Sequence, residues 1–162
     1  VCAGCYALKG NYARYPEIKK AQYKRLASIS RPDWVKAMAV VINSKAVAQH
    51  GYFRWHDAGD IQSPEHLQKI FEVCKLTPKV KHWMPTREAQ FLKDIDPAQV
   101  PSNLIIRMSS HMIDQGPVKF WPHTSTVGSS SRTCPAPDQG GKCGDCRSCW
   151  SKDIPNIEYG KH

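Results

Sequence analysis

The sequence predicts an α/β fold in which parallel strands form a partial (β/α) TIM-like barrel with a cysteine-rich C-terminal loop. Between residues 51 and 112, short runs of strand-forming residues alternate with helical patterns. This order favours parallel pairing through crossover helices. From residue 116 onward the chain is rich in Gly, Pro, Ser and Cys, as is typical of loops. At 162 residues, we expect one domain, 1–162.

The first part of the chain is predicted to be helical after a short cysteine-bearing loop at residues 1–10. Residues 12–49 are expected to form two lysine-rich helices broken near SISRPDW, with Pro32 in the first turn of the second. The run AVVIN, residues 39–43, fits either an early strand or a buried helix. Because the chain begins with Val1 and a cysteine motif at once, we expect that natural residues precede Val1.

Three strands and two helices are predicted in the middle region. The strands are YFRWH (52–56), VKHWMP (80–85) and LIIRMSSH (104–111). Ser63 and Pro64 begin a helix whose apolar stripe ends at Cys74, which we assign to the core. TREAQFLKDI (86–95) predicts a short α-helix capped by Thr86. Two further strands, HTSTVG (123–128) and NIEYGKH (156–162), are expected to flank the cysteines.

Polar residues gather where the three strands end, and ligand sites of parallel α/β folds lie there. They are Arg54, His56, Asp57, Asp60, Thr86, Arg87, Arg107, Ser109, Ser110 and His111, with Ser125 and His162 extending the set. We expect a site for a small anionic ligand made by Arg54, His56, Asp60, Arg107 and Ser109. A structural arginine–aspartate pair is the alternative for the arginines, and a simple hydrogen-bonding role is the alternative to acid–base catalysis for His56.

Composition limits the class of protein. The net charge of +9 favours an anionic partner. Nucleic acid is the weaker candidate, since the lysines are spread along predicted helices like a solvated face. No run of about 18 apolar residues and no signal peptide occurs, which predicts a cytoplasmic protein without a membrane partner.

Four of the seven cysteines lie in TCPAPDQGGKCGDCRSCW, residues 133–150. The spacing Cys134-x8-Cys143-x2-Cys146-x2-Cys149 places three thiolates in tandem, which favours a [4Fe–4S] cluster over zinc and both over a disulfide. The fourth ligand stays open at this stage. Cys134 is nearest in sequence, whereas Cys2 and Cys5 form another pair that adds ligands to the same cluster or to a second metal.

Three motifs carry a resemblance to a known family. CAGCYA, FRWHDAGD and CGDCRSCW followed by IEYGKH resemble, in this order, the phage proteins named after mycobacteriophage gene product 88. The family pattern has a further cysteine upstream of the pair matched by Cys2 and Cys5. The resemblance implies an iron–sulfur protein of phage or mobile-element origin, acting in an infected host cell. It also implies a distant relation to the partial barrel of radical S-adenosylmethionine enzymes, with S-adenosylmethionine as a second cofactor.

Two functions are therefore expected from the sequence. The first is an iron–sulfur redox or radical-type enzyme acting on a small anionic ligand. The second is a zinc-stabilised nucleic-acid-binding protein, in which the cysteines are structural. A cluster that only stabilises the fold is a third reading of the same cysteines.

Overall fold

The computed structural model describes residues 8–44 and 50–161. Within them, five parallel strands form one sheet in the order β1-β2-β3-β4-β5. The strands are β1 Tyr52–Arg54, β2 Lys81–Thr86, β3 Leu104–Ile113, β4 Thr124–Gly128 and β5 Asn156–Gly160. All five lie within two residues of a segment that the sequence predicts as a strand.

The strand order explains why the sheet curls into a half-barrel. Every strand pairs in parallel with the next one along the chain. Right-handed crossovers between such neighbours place the connections on one side of the sheet, as in (β/α) barrels. The α/β class and the parallel sheet are thus confirmed.

The helices differ from the prediction in number and in position. They are α1 Gly10–Arg14, α2 Pro16–Ser28, α3 Trp34–Ile42 and α4 Pro64–Leu76. Pro16 separates α1 from α2, because proline suits the first turn of a helix but cannot continue one. Pro32 lies in the turn before α3 rather than inside its first turn. The AVVIN run forms the end of α3, so the helical alternative is confirmed, although Val40 is 72% exposed.

Helix α4 forms as predicted. The Ser63 Oγ accepts a hydrogen bond from the backbone N–H of His66 at 3.1 Å and caps the helix. Leu67, Ile70 and Cys74 are completely buried. Burial raises the pKa of the Cys74 thiol to about 12, which confirms that Cys74 is a core residue.

The predicted α-helix at residues 86–95 is wrong. Strand β2 continues through Thr86, and only a 3₁₀ turn, Ala89–Phe91, follows. The Thr86 hydroxyl donates to the Asp60 carboxylate at 2.6 Å and accepts from the Glu88 N–H at 3.1 Å. These tertiary bonds hold the segment extended where local propensity favours a helix.

The two faces of the sheet bury different cores. On one face Met84, Ile106 and Met108 belong to the main core, which also takes in residues of α3 and α4. The opposite face carries Trp83, Arg107, Ser109, Ile157 and Tyr159 by strand alternation. We call it the concave face, because crossover helices cover the outside of a barrel.

None of the helices in the two described ranges is long and apolar enough to span a membrane.

Candidate functional site

The C-terminal end of the cysteine segment lies on the concave face as a 3₁₀ turn, Ser148–Trp150. Arg107, at 0% exposure, holds this turn. Its guanidinium donates to the carbonyl oxygens of Cys149 at 3.1 Å, Ser148 at 3.0 Å, Ser151 at 3.0 Å and Thr124 at 3.3 Å. One side chain of β3 therefore donates to three carbonyls of the turn region, at Ser148, Cys149 and Ser151, of which the Ser148 carbonyl also accepts from the Ser151 N–H at 3.1 Å.

The N-terminal end of the segment is attached to β5. The backbone N–H groups of Thr133 and Cys134 donate to the Glu158 carbonyl at 2.9 and 3.0 Å, and the Glu158 N–H donates to the Thr133 Oγ1 at 2.8 Å. Cys134 packs against the small core that contains Trp83, Cys149 and Ile157. Two cysteines that are 15 positions apart in the sequence thus meet on the same face of the sheet.

The thiols of this region interact electrostatically. Burial raises the pKa of Cys149, and thiolates at Cys134 and Cys143 raise it further. The Tyr159 hydroxyl, 3.4 Å from the Cys149 Sγ, and the Arg107 guanidinium act in the opposite direction. Of these thiols, Cys134 and Cys149 pack in the same small core.

Cys146 differs from Cys149. Its Sγ lies 3.3 Å from the Ser148 Oγ, and hydrogen bonds that the Ser148 hydroxyl and backbone N–H donate to the thiolate lower the pKa of Cys146. Thiolates are the form that binds metals.

The donor chemistry suits a soft metal centre, but the ligands are not gathered into a finished site. Four thiols in one segment are the ligands that iron–sulfur clusters and zinc take. No group of three or more His, Cys, Asp or Glu side chains within residues 8–44 and 50–161 is arranged to hold a metal ion. Cys143 is solvent-exposed and Cys146 contacts Ser148. Ligation would need these two side chains to turn toward Cys149. Cys2 and Cys5 lie outside the described residues.

Three of the five predicted ligand-binding residues lie on the concave face. Arg107 makes the four carbonyl contacts given above. The Ser109 Oγ lies 2.9 Å from the Ser125 Oγ. The exposed Arg54 places its guanidinium carbon 4.9 Å from the centre of the Trp83 ring. The ligand-binding role of these residues stays a prediction.

Asp60 lies beyond the carboxyl end of β1 and serves as a hydrogen-bond acceptor. Its two oxygens accept from the Thr86 hydroxyl at 2.6 Å, from the Arg87 N–H at 2.7 Å and from the Ile61 N–H at 2.8 Å. The expected pairing of Asp60 with Arg54 or Arg107 is not formed. The ion pairs of the described residues are Arg31–Asp33 and Arg132–Asp138. The alternative of a structural arginine–aspartate pair is therefore wrong for Asp60.

His56 has an unusual environment. Its φ of +54° lies in the left-handed region, which is sparsely populated by residues other than glycine. Both ring nitrogens are buried and lack a hydrogen-bond partner among the described atoms. Burial lowers the pKa of His56, while the charge of Asp60 opposes this shift. The acid–base role of His56 and its hydrogen-bonding alternative stay predictions.

The other predicted polar residues form hydrogen bonds within the protein. The Arg87 Nη2 donates to the His111 carbonyl at 2.7 Å, and the Ser110 hydroxyl donates to the Gly116 carbonyl at 2.8 Å. The hydroxyl of Tyr12 donates to the Asp57 carboxylate. His162 lies outside the described residues.

Tyr159 was not among the site residues predicted from the sequence. Its hydroxyl is the hydrogen-bond partner of the Cys149 sulfur. Burial raises the pKa of Tyr159, and the neighbouring Cys149 adds to the rise, so its hydroxyl stays protonated and can donate to sulfur. Ile157 and Tyr159 are two positions apart in NIEYG, so both lie on one face of β5. This alternation is the sequence pattern from which the position of Tyr159 could be predicted.

Comparison with known proteins identifies a family. The model of the family described as Gene product 88 matches residues 1–152, which include the whole tandem cysteine motif. A search of curated proteins and a search of solved structures give no match. The family match supports a phage origin. The iron–sulfur cluster and the relation to radical S-adenosylmethionine enzymes stay predictions. The chain belongs to the Gene product 88 family.

Proposed function

We propose that this protein is an iron–sulfur protein of phage origin, whose cysteine-rich segment holds a [4Fe–4S] cluster over the concave face. One observation carries the proposal. Cys134 and Cys149, which are attached to different strands, meet in one small core, and the Cys143 thiolate acts on the same Cys149 sulfur. These two thiols, together with Cys143 and Cys146 of the same segment, match the donor set of a cubane cluster.

The fourth ligand that we propose is Cys134. Its backbone is hydrogen-bonded to β5, and its side chain packs beside Cys149. The three cysteines of the tandem motif would then supply the other ligands from a single loop. Glycines at 140, 141 and 144 have φ values between +53° and +77°, so the loop takes turns that side-chain-bearing residues rarely adopt.

In this proposal, the protein's own residues compensate the negative charge of the Cys149 thiolate and donate a hydrogen bond to its sulfur. Arg107 places a buried positive charge beside Cys149, which favours the thiolate over the thiol. The Tyr159 hydroxyl offers a hydrogen bond to the same sulfur. Hydrogen bonds and charge near the sulfurs set the potential of such clusters. With four cysteine ligands, the cluster would supply one-electron transfer when bound.

The first experiment is anaerobic purification followed by visible absorption and analysis of iron, zinc and acid-labile sulfide. We expect a brown protein with about four irons and four sulfides per chain. Replacing Cys134, Cys143, Cys146 or Cys149 by Ser should each reduce the cluster content. Cys74→Ala removes a thiol from the main core and is the control that should keep the cluster.

Two results would change the proposal. Full cluster content in Cys134→Ser, together with loss in Cys2→Ser or Cys5→Ser, would move the fourth ligand to the N-terminal pair. A colourless protein that holds zinc and no sulfide, even after anaerobic reconstitution, would refute the cluster. The thiol-only donor set would then favour a structural zinc site.

A small anionic ligand is the second part of the proposal. Arg54 and Ser109 remain available on the concave face, because Arg54 is exposed and the hydroxyl of Ser109 is shared only with Ser125. S-adenosylmethionine is the first ligand to test, since it has a carboxylate that an arginine can bind. Binding to the cluster-loaded protein and not to Arg54→Met would support this role, whereas equal binding to both would argue against it.

A further inference from the structure

A groove lies at the amino ends of three strands, at the edge of the concave face. Tyr52 begins β1 and Lys81 begins β2, and both line the groove together with Lys79. The opposite wall comes from the end of the cysteine segment and includes Arg147 and Lys152. Its volume of about 490 Å³ falls within the range of small-ligand sites. We call this the basic groove.

The basic groove carries uncompensated positive charge. Lys79, Lys81, Arg147 and Lys152 line it, and Asp153 is the acidic residue of its wall. The ion pairs found in the described ranges involve none of these five residues. Asp153 instead accepts a hydrogen bond from the Ser151 hydroxyl at 3.3 Å. Cations that converge on an open groove without carboxylate partners raise the local concentration of anions.

Arg147 is held in place rather than mobile. Its Nη1 donates to the carbonyls of Gly144 at 2.7 Å and Cys146 at 2.8 Å. Its guanidinium carbon lies 5.0 Å from the centre of the Tyr52 ring, and the Lys81 Nζ lies 5.9 Å from the same centre. The Arg147 Nε and Nη2 donate to no atom of the described residues. An arginine fixed by its own loop, with donors left over, is preorganised to bind oxyanions.

The geometry points to the basic groove as a binding site for a phosphate ester, held by Arg147, Lys81 and Lys152. Phosphate suits this site because it presents several charged oxygens to several donors at once. A carboxylate presents only two charged oxygens, whereas a phosphate monoester presents three. The phosphate ester comes either from a free nucleotide or from a single strand of nucleic acid, since both carry the same group.

The site can be tested separately from the metal proposal through Lys81 and Lys152, although Arg147 lies between the proposed ligands Cys146 and Cys149. Its cations belong to strand ends and to residues 147 and 152, and none of them is a cysteine ligand. Loss of phosphate binding would therefore leave the iron and sulfide content unchanged, so the two proposals fail by different measurements.

The test uses the full chain and two probes at about 50 mM ionic strength. A fluorescein-labelled ten-residue oligothymidylate represents the strand, and ATP represents the free nucleotide. Lys81→Gln with Lys152→Gln removes two groove charges, and Lys36→Gln with Lys119→Gln removes two exposed charges elsewhere. We expect about tenfold weaker binding for the groove pair and an unchanged Kd for the control pair. If the strand is the ligand, the slope of log K against log salt should fall by about 0.7 per lost contact.

The outcomes separate the sources and can overturn the site. Groove-dependent binding of ATP supports a free nucleotide, and groove-dependent binding of oligothymidylate alone supports a strand. Equal weakening in the groove pair and the control pair would show that only general positive charge matters, and would overturn the proposal. Binding of neither probe below about 1 mM would overturn it as well. Circular dichroism of both double variants verifies that they are folded.

Discussion

His82 is completely buried and sits in a chain of hydrogen bonds that fixes its protonation state. The Trp55 Nε1 donates to the His82 Nδ1 at 3.2 Å, so this nitrogen is the acceptor. The His82 Nε2 lies 2.8 Å from the Thr77 Oγ1 and must then carry the proton. The Thr77 hydroxyl in turn donates to the Val73 carbonyl at 2.8 Å. A protonated ring would place two N–H donors head to head at Trp55.

We predict that His82 stays neutral well below pH 6. Burial lowers its pKa from the usual 6.5 to about 4. Since the unfolded chain takes up the proton first, the contribution to stability is complete above about pH 6.5 and is lost as the pH falls toward 4. This corresponds to up to about 3 kcal/mol. Nitrogen-15 NMR of the imidazoles at pH 7 and pH 5 should show the same Nε2–H tautomer for His82. Titration of the His82 signals near pH 6.5 would contradict the prediction.

At single positions, the sequence predicted which residues point to the concave face better than what they bind. Alternation along β3 correctly paired Arg107 with Ser109. The partners of Arg107 are backbone carbonyls up to 44 positions away, and side-chain identity carries no information about them. For the same reason Asp60 was expected to bind an arginine, whereas a threonine hydroxyl and two backbone N–H groups surround it.

Among the elements, the turn Ser148–Trp150 depends most on a single side chain. Arg107→Met would remove the side-chain donor from four carbonyl oxygens, of which the Ser148 carbonyl keeps a second donor, the Ser151 N–H. We predict a loss of about 3–5 kcal/mol in the free energy of unfolding, because unpaired buried acceptors each cost about 1–3 kcal/mol and the outer ones regain water. Urea unfolding monitored by circular dichroism measures this loss.

Two variants serve as controls for that prediction. Arg107→Lys keeps the charge but not the planar set of donors, and should lose about half as much stability. Arg54→Met removes an exposed arginine that contacts the Trp83 ring, and should cost at most about 1 kcal/mol. If Arg54→Met and Arg107→Met were equally destabilised, the hydrogen bonds from Arg107 of β3 to the turn would contribute no more to stability than an exposed arginine does.

Secondary structure was predicted well where burial alone decides it. Each of the central strands and α4 has an apolar pattern with a single period, and each forms at the residues predicted from it. The segment after β2 has a helical composition, but the Asp60 carboxylate takes the Thr86 hydroxyl and the Arg87 N–H. Tertiary hydrogen bonds of this kind are not visible in a local pattern, which explains why the predicted helix is a 3₁₀ turn.

For the molecule as a whole, the cysteine segment is attached only at its two ends. Thr133 and Cys134 bind β5, and residues 148–151 bind Arg107 of β3. Further support comes from Trp150, whose Nε1 donates to the Phe53 carbonyl at 3.0 Å. The middle of the segment, residues 138–145, is exposed throughout. Stability is therefore expected to be unevenly distributed between the sheet and this segment.

This distribution predicts how the protein responds to the cluster. In metal-free protein, amides of residues 140–147 should exchange with deuterium by local opening, whereas amides of Leu104–Met108 in the centre of β3 should exchange only on global unfolding. Ligation of Cys143, Cys146 and Cys149 would close the segment, so the cluster-loaded protein should protect residues 140–147 by at least about 100-fold. Protection of β3 should rise only by the gain in global stability. Hydrogen exchange measured by mass spectrometry on both forms tests this, with Cys149→Ser as the variant that should show no change. If the loaded form protected β3 but left residues 140–147 in fast exchange, the ligands would lie outside the tandem motif.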